Sequence, residues 1–103
     1  MPKLDPRNRK VKILATIGPA SREPEMLRRL FRAGVDAFRV NMSHGDHATH
    51  AQTIAAIREL EEEFDRPIAI LADLQGPKLR VGTFKDGKAV IRHSGPFTLD
   101  PSP

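Results

Sequence analysis

The sequence predicts an α/β fold built on a parallel sheet. Three short apolar runs, Val11 to Ile17, Val35 to Asn41 and Ile68 to Ala72, have the length of strands. Two stretches of helical periodicity lie between them, and the connections are short. Alternation of strand and helix is the signature of parallel strands joined by right-handed crossovers. The runs are apolar on both faces over most of their length, as strands covered by helices should be.

Each element has its own local signals. Gly18-Pro19-Ala20-Ser21 ends the first strand, because Gly-Pro is a strong turn signal. Pro24 suits a first helical position, where its missing N–H costs nothing, and Glu25 suits the positive helix start. Glu23 is a poorer N-cap than Ser21, so either residue is a candidate. Leu27, Leu30 and Phe31 form the apolar stripe, and Gly34 closes the helix in a left-handed conformation. Asp46 is a good N-cap for a second helix reaching about Asp65, with Ile54, Ile57, Leu60 or Glu61, and Phe64 at helical spacing. Glu59, Glu61, Glu62 and Glu63 read as a solvated outer face, and Arg66-Pro67 ends the helix. From Gly76 the texture changes. Residues 78–84 and 89–92 read as extended segments around an Asp-Gly turn, a hairpin signal, and Ser94-Gly95-Pro96 reads as a further turn.

Composition excludes several function classes. The chain has 103 residues and no cysteine, which removes disulfides and thiolate metal sites. No apolar run approaches the ~20 residues that span a bilayer. The N-terminus lacks the apolar segment of a signal peptide, so a soluble, cytoplasmic protein without membrane partners is expected. The net charge of +4 sits in the first twelve residues, and the remainder balances twelve basic against twelve acidic side chains. Residues 1–9 therefore read as a flexible, solvated basic tail. Five Phe with no Tyr or Trp give no stacking platform beside the basic groups, so nucleic-acid binding is not expected.

Chemistry collects at the carboxyl ends of the strands, where ligands bind in parallel α/β folds. The first strand ends near Thr16, the second in Arg39, Asn41, Ser43 and His44, and the third in Asp73, followed by Gln75, Lys78 and Arg80. On the second strand Phe38 and Val40 share one face, and Arg39 and Asn41 the other. Burying an unpaired charge is costly, so the polar face should line a site. Arginines suit phosphate oxygens, and Asn41, Ser43 and Asp73 offer hard oxygen ligands for a cation. Taken singly, Arg39 and Asp73 could merely pair, and Asn41 and Ser43 could merely bond local backbone. Taken together, the set favours a site for a phosphorylated substrate with a cation. Of His44, His47 and His50, only His44 lies inside the polar turn, and the other two read as solvated helix surface.

Ile17-Gly18-Pro19-Ala20-Ser21, Gly34-Val35-Asp36, Phe38-Arg39-Val40-Asn41-Met42-Ser43-His44-Gly45 and Leu71-Ala72-Asp73-Leu74-Gln75-Gly76-Pro77-Lys78-Leu79-Arg80 together resemble the N-terminal part of pyruvate kinases. The resemblance implies a partial (β/α)₈ TIM barrel. Its first three strands and two helices would occupy residues 10–81, and the start of an inserted antiparallel β-barrel lid would occupy residues 82–103. It implies phosphoryl transfer from phosphoenolpyruvate to ADP, giving pyruvate and ATP in glycolysis. It also implies Mg²⁺ bound by residues outside this chain, and a homotetrameric parent. Arg39 and Arg80 would be catalytic. Arg39, Asn41, Met42, Ser43, His44 and Arg80 would face substrate and nucleotide, and Asn41, Ser43, Asp73 and the Leu74 carbonyl would hold K⁺. Lys78 stands where K⁺-dependent members carry glutamate, which implies that its ammonium replaces K⁺. The family's catalytic lysine and Mg²⁺ ligands lie on later strands, so the chain alone is expected to be inactive and marginally stable. The alternatives are a non-catalytic phosphate-binding or interaction remnant of the same fold, and another enzyme of phosphoenolpyruvate or pyruvate on the same barrel.

Overall fold

The computed structural model describes residues 7–101. In chain order the elements are β1 (Leu14–Ile17), α1 (Pro24–Ala33), β2 (Ala37–Asn41), α2 (His47–Phe64) and β3 (Ala69–Asp73). The strands form one parallel sheet in the order β1-β2-β3. The order advances without reversal, so right-handed crossovers put both helices on one face, the winding of a barrel rather than a doubly wound sheet.

The covered face carries Phe38, flanked by Ala15, Ile17 and Ile70. Against it pack Leu27 and Phe31 of α1, with Ile57, Leu60 and Phe64 of α2. Phe31 and Phe64 join the helices through a tilted pair with ring centroids 5.4 Å apart. The other face is open. Leu14 and Leu71 remain 51% and 50% exposed there, beside the polar groups Thr16, Arg39, Asn41 and Asp73.

Several boundaries differ from the sequence expectation, each for a local reason. β1 starts at Leu14 rather than Val11, which is 74% exposed. Ahead of it, the Ile13 N–H donates to Asp36 Oδ2 at 2.7 Å, and the Ile13 carbonyl accepts from the Asp36 N–H at 2.9 Å. A side chain therefore ties the strand entry where a ladder would have continued. β2 starts at Ala37 because the Val35 N–H bonds back to the Leu30 carbonyl at 3.1 Å and belongs to the end of α1. Gly34 does close α1, with a φ of 131° and its N–H on the Leu30 and Phe31 carbonyls. Its ψ of 2° lies off the ideal left-handed basin. Glu23 is the N-cap but makes no side-chain bond, while Ser21 Oγ accepts from the Gly18 N–H at 2.9 Å and closes the Gly-Pro turn.

Asp46 caps α2 as expected, accepting from the Thr49 N–H at 2.7 Å. The helix ends at Phe64, with Asp65 in the left-handed region at φ 47°. Leu60 takes the core position rather than Glu61, and Thr53 and Ala56 are buried while Ile54 is only half-buried. The acidic patch is not uniformly solvated. Glu59 and Glu62 are exposed, but Glu63 accepts from Arg28 Nε at 3.0 Å and links α2 to α1. Glu61 accepts from the Ile68 N–H at 2.6 Å and from Arg58 at 2.8 Å, and those two bonds, in that order, lower its pKa.

The basic leader is also corrected in part. Residues 1–6 lie outside the described residues, but Arg7 and Arg9 are docked rather than solvated. Arg7 donates to the Gly34 and Val35 carbonyls at 2.7 and 2.6 Å, pairs with Asp36 at 2.6 Å and sits 4.8 Å from the Phe31 ring centroid. Arg9 pairs with the other Asp36 oxygen at 2.8 Å and also bonds the Gly34 carbonyl. Cations at the negative end of α1 satisfy carbonyls that the helix leaves open.

After Asp73 no described residue joins a strand. Both expected turns are present: the Gly87 N–H bonds the Phe84 carbonyl at 3.0 Å, and the Gly95 N–H the Arg92 carbonyl at 3.1 Å. The flanking segments do not pair, and Val90, Ile91, Phe97 and Leu99 are exposed. Turn residues set a local reversal, whereas a two-stranded hairpin with nothing packed on its apolar side is marginal in water.

Candidate phosphate and cation corner

Strand register brings the carboxyl ends together. Thr16 lies opposite Arg39, and Asn41 lies opposite Asp73. Arg39 stands at the centre of the open face and spans all three strands. Its Nη1 donates to Thr16 Oγ1 at 3.3 Å, and its Nε donates to Asp73 Oδ2 at 3.1 Å, with Nη2 on the same oxygen. Arg39 and Asp73 thus form an ion pair. It also fixes the guanidinium plane on a rigid element while leaving Asp73 Oδ1 and the outer edge of the arginine for a ligand. The Asp73 side chain is 47% exposed and that of Arg39 is 28% exposed, so the pair faces solvent rather than core.

The turn after β2 is held in a second way. The Asn41 side-chain oxygen accepts from the Ser43 N–H at 3.0 Å, and the Asn41 carbonyl accepts from the His44 N–H at 3.3 Å. The Met42 N–H donates to the Asp73 carbonyl at 2.9 Å, which carries the β2–β3 ladder one residue past the sheet. Asn41, Met42 and Ser43 therefore lie in one turn, next to Asp73 at the end of the neighbouring strand and close to Arg39.

Not every expected residue joins them. Leu74 directly follows Asp73 and is 74% exposed. Lys78 and Arg80 are exposed, lie in the segment without strands and form no salt bridge among the described residues. Sequence proximity to the third strand suggested their convergence, but no ladder extends beyond Asp73 to aim them.

Next to the corner, a cavity of about 450 Å³ opens between the β1–α1 and β2–α2 connections. Thr16, Pro19, Arg22, Asn41, His44 and His50 are among the residues that line it. His44 is exposed and lines it. His50 departs from expectation. It is half-buried, lines the cavity, and its Nε2 is buried without a hydrogen-bond partner among the described residues. Its position four residues after the Asp46 cap was the available signal: that spacing returns a side chain to the face of the helix start. Asp46 itself has a lowered pKa, through the Thr49 N–H first and then the Thr49 side chain, with smaller help from His50 and Arg22.

This sheet order agrees with what known proteins show. A family model described as pyruvate kinase, barrel domain, matches residues 8–99. The chain belongs to the pyruvate kinase family. It is 53% identical over 97 residues to a pyruvate kinase of Methylorubrum extorquens, covering 94% of this chain and 20% of that protein. It is 58% identical over 81 residues to one from Agrobacterium vitis, covering 79% of this chain and 17% of the relative. A solved pyruvate kinase structure from Cryptosporidium parvum superposes with a TM-score of 0.70 at 38% identity, over 78% of this chain and 16% of the other. The chain thus spans about a fifth of the length of these pyruvate kinases. Its parallel strands and two helices match the start of the family's barrel domain.

Proposed function

We propose that this chain forms the opening units of a pyruvate kinase barrel and contributes half of a phosphoryl-transfer site. The substrates would be phosphoenolpyruvate and ADP, and the products pyruvate and ATP, within glycolysis in the cytoplasm. The observation that carries the reading is Arg39, fixed across three strand ends by Thr16 and Asp73 beside a cavity of nucleotide size.

Phosphoryl transfer relies on positioning and on charge placed in advance, not on covalent help from the protein. Arg39 offers a planar fork for phosphate oxygens, and its held plane removes the entropy of ordering a long side chain. Met42, Ser43 and His44 would face the nucleotide from the turn. Arg80 would reach the transferred phosphate only once the segment after β3 is ordered, a step assigned to a lid beginning near residue 82.

A monovalent cation would take hard oxygens from Asn41, Ser43 and Asp73, and the Leu74 carbonyl would have to turn toward them; the pairing of Asn41 with Asp73 across the strands supports this. That ion would supply positive charge beside the phosphates. Lys78 would supply the same charge in its place and make K⁺ dispensable. Magnesium finds no cluster of three imidazole, thiolate or carboxylate groups among the described residues. By the family resemblance we assign its ligands and the catalytic lysine to later barrel strands, so the chain alone should not turn over. Among the described residues no helix is long and apolar enough to cross a membrane.

The test is a segment exchange. These 103 residues replace the matching segment of the Methylorubrum extorquens pyruvate kinase, and pyruvate release is measured. The exchanged enzyme should turn over, and Arg39→Leu should lower its kcat by about a hundredfold or more. An unchanged kcat in the variant would refute the role given to Arg39.

A further inference from the structure

His50 lines the cavity and carries a buried ring nitrogen with no hydrogen-bond partner among the described residues. Its backbone N–H makes the first helical bond of α2, to the Asp46 carbonyl at 3.1 Å. Its ring turns back over the helix start and lies beneath Gly45. A Cβ on Gly45 would stand 3.3 Å from His50 Cε1 and 3.4 Å from Nε2. Gly45 has a φ of 79°, a conformation that side chains rarely adopt. Steric room and backbone geometry thus both call for glycine, and each keeps the turn close upon the imidazole.

That closeness leaves Nε2 covered and unpaired. Buried polar atoms nearly always have a partner, and an exception in a cavity wall signals a state in which the partner arrives. The element next to the ring is the turn whose exposed His44 and Gly45 line the cavity with it. The backbone of His50 is held in the capped first turn of α2.

We propose that His50 is a positioning residue for the nucleotide. It sets the height of the Ser43–Gly45 turn, and its Nε2 gains a hydrogen bond when a nucleotide entering the cavity displaces that turn. The proposal rests on the cavity being the nucleotide side of the site. His50 touches no phosphate and takes no part in the transfer itself. Its effect therefore falls on nucleotide binding, not on the phosphoenolpyruvate side, where Arg39 and Asp73 stand.

The experiment uses the segment-exchanged pyruvate kinase, with KM for ADP and for phosphoenolpyruvate measured separately, alongside kcat. His50→Leu keeps bulk but removes the ring nitrogens, and should raise KM for ADP about tenfold, the worth of one hydrogen bond. KM for phosphoenolpyruvate should stay within twofold. His50→Gln carries a polar group near the Nε2 position and should recover most of the loss. A second pair, Gly45→Ala alone and combined with His50→Leu, reads the contact directly: the double variant should bind ADP better than the sum of the single effects predicts. Equal rises in both KM values, or no rescue by glutamine, would reduce His50 to a packing residue and overturn the proposal. If the unmutated exchanged enzyme fails to turn over, the functional reading itself falls, and this inference falls with it.

Discussion

Replacing Asp36 by asparagine tests how the start of the chain is fastened to the fold. The carboxylate sits between β1 and the end of α1 and receives three donors. These are Arg7 Nη1 on Oδ1 at 2.6 Å, with Arg9 Nη1 and the Ile13 N–H on Oδ2 at 2.8 and 2.7 Å. Burial by itself would raise its pKa, but the Ile13 N–H, Arg9 and Arg7 outweigh it and hold the group at about 2, against an ordinary 3.8. One pKa unit corresponds to about 1.4 kcal/mol. The side chain keeps 15% of its surface in water, and solvent screens part of the interaction, so about 1 to 2 kcal/mol is expected. The sign follows from linkage: folding lowers this pKa, so the folded state binds fewer protons. The stabilisation is complete above about pH 4 and is lost as pH falls through about 2. Asp36→Asn keeps the shape and removes the charge. Urea unfolding followed by circular dichroism should show the variant weaker by that amount at pH 7, with the difference closing by pH 2. A variant as stable as the parent at pH 7, or a difference that does not change with pH, would refute the reasoning.

Other outcomes follow from particular residues. Asp46→Ala removes the acceptor for the Thr49 N–H and should cost about 1 kcal/mol in the same unfolding assay, with the far-ultraviolet spectrum unchanged. In the segment-exchanged enzyme, Lys78→Glu should convert K⁺-independent turnover into turnover that K⁺ activates, read by kcat with and without K⁺ at constant ionic strength. Strong K⁺ activation of the unmutated exchanged enzyme would contradict the role given to Lys78.

The order of strands and helices was legible because each element carried its own period and its own stop signal. Pro24, Gly34, Asp46 and Pro67 punctuate the chain close to where the backbone changes state. The polar corner was legible because Arg39 and Asn41 share a face with nothing apolar to explain them. What escaped was long-range and made by side chains. Arg7 and Arg9 looked like a solvated leader, since their partners are carbonyls 24 to 28 residues away, which charge counting does not register. Asp36 replaced a stretch of strand ladder, Glu61 left the solvated face for the Ile68 N–H beyond the helix end, and Glu63 left it for Arg28 of the other helix. His50 looked like surface because helical spacing alone does not show that a glycine turn folds over it. Beyond Asp73 the turns were read correctly, but turn residues do not by themselves pair the segments on either side.

Arg39 and its neighbours are proposed as one half of a site whose other half belongs to the rest of the barrel. The direct measurement is pyruvate release from phosphoenolpyruvate and ADP with magnesium, by the chain alone and by the segment-exchanged enzyme. The account predicts no turnover from the chain alone and turnover within about tenfold of the host enzyme after exchange, the tolerance of about 1.4 kcal/mol in barrier height. Turnover by the chain alone, or an exchanged enzyme that folds and does not turn over, would contradict it.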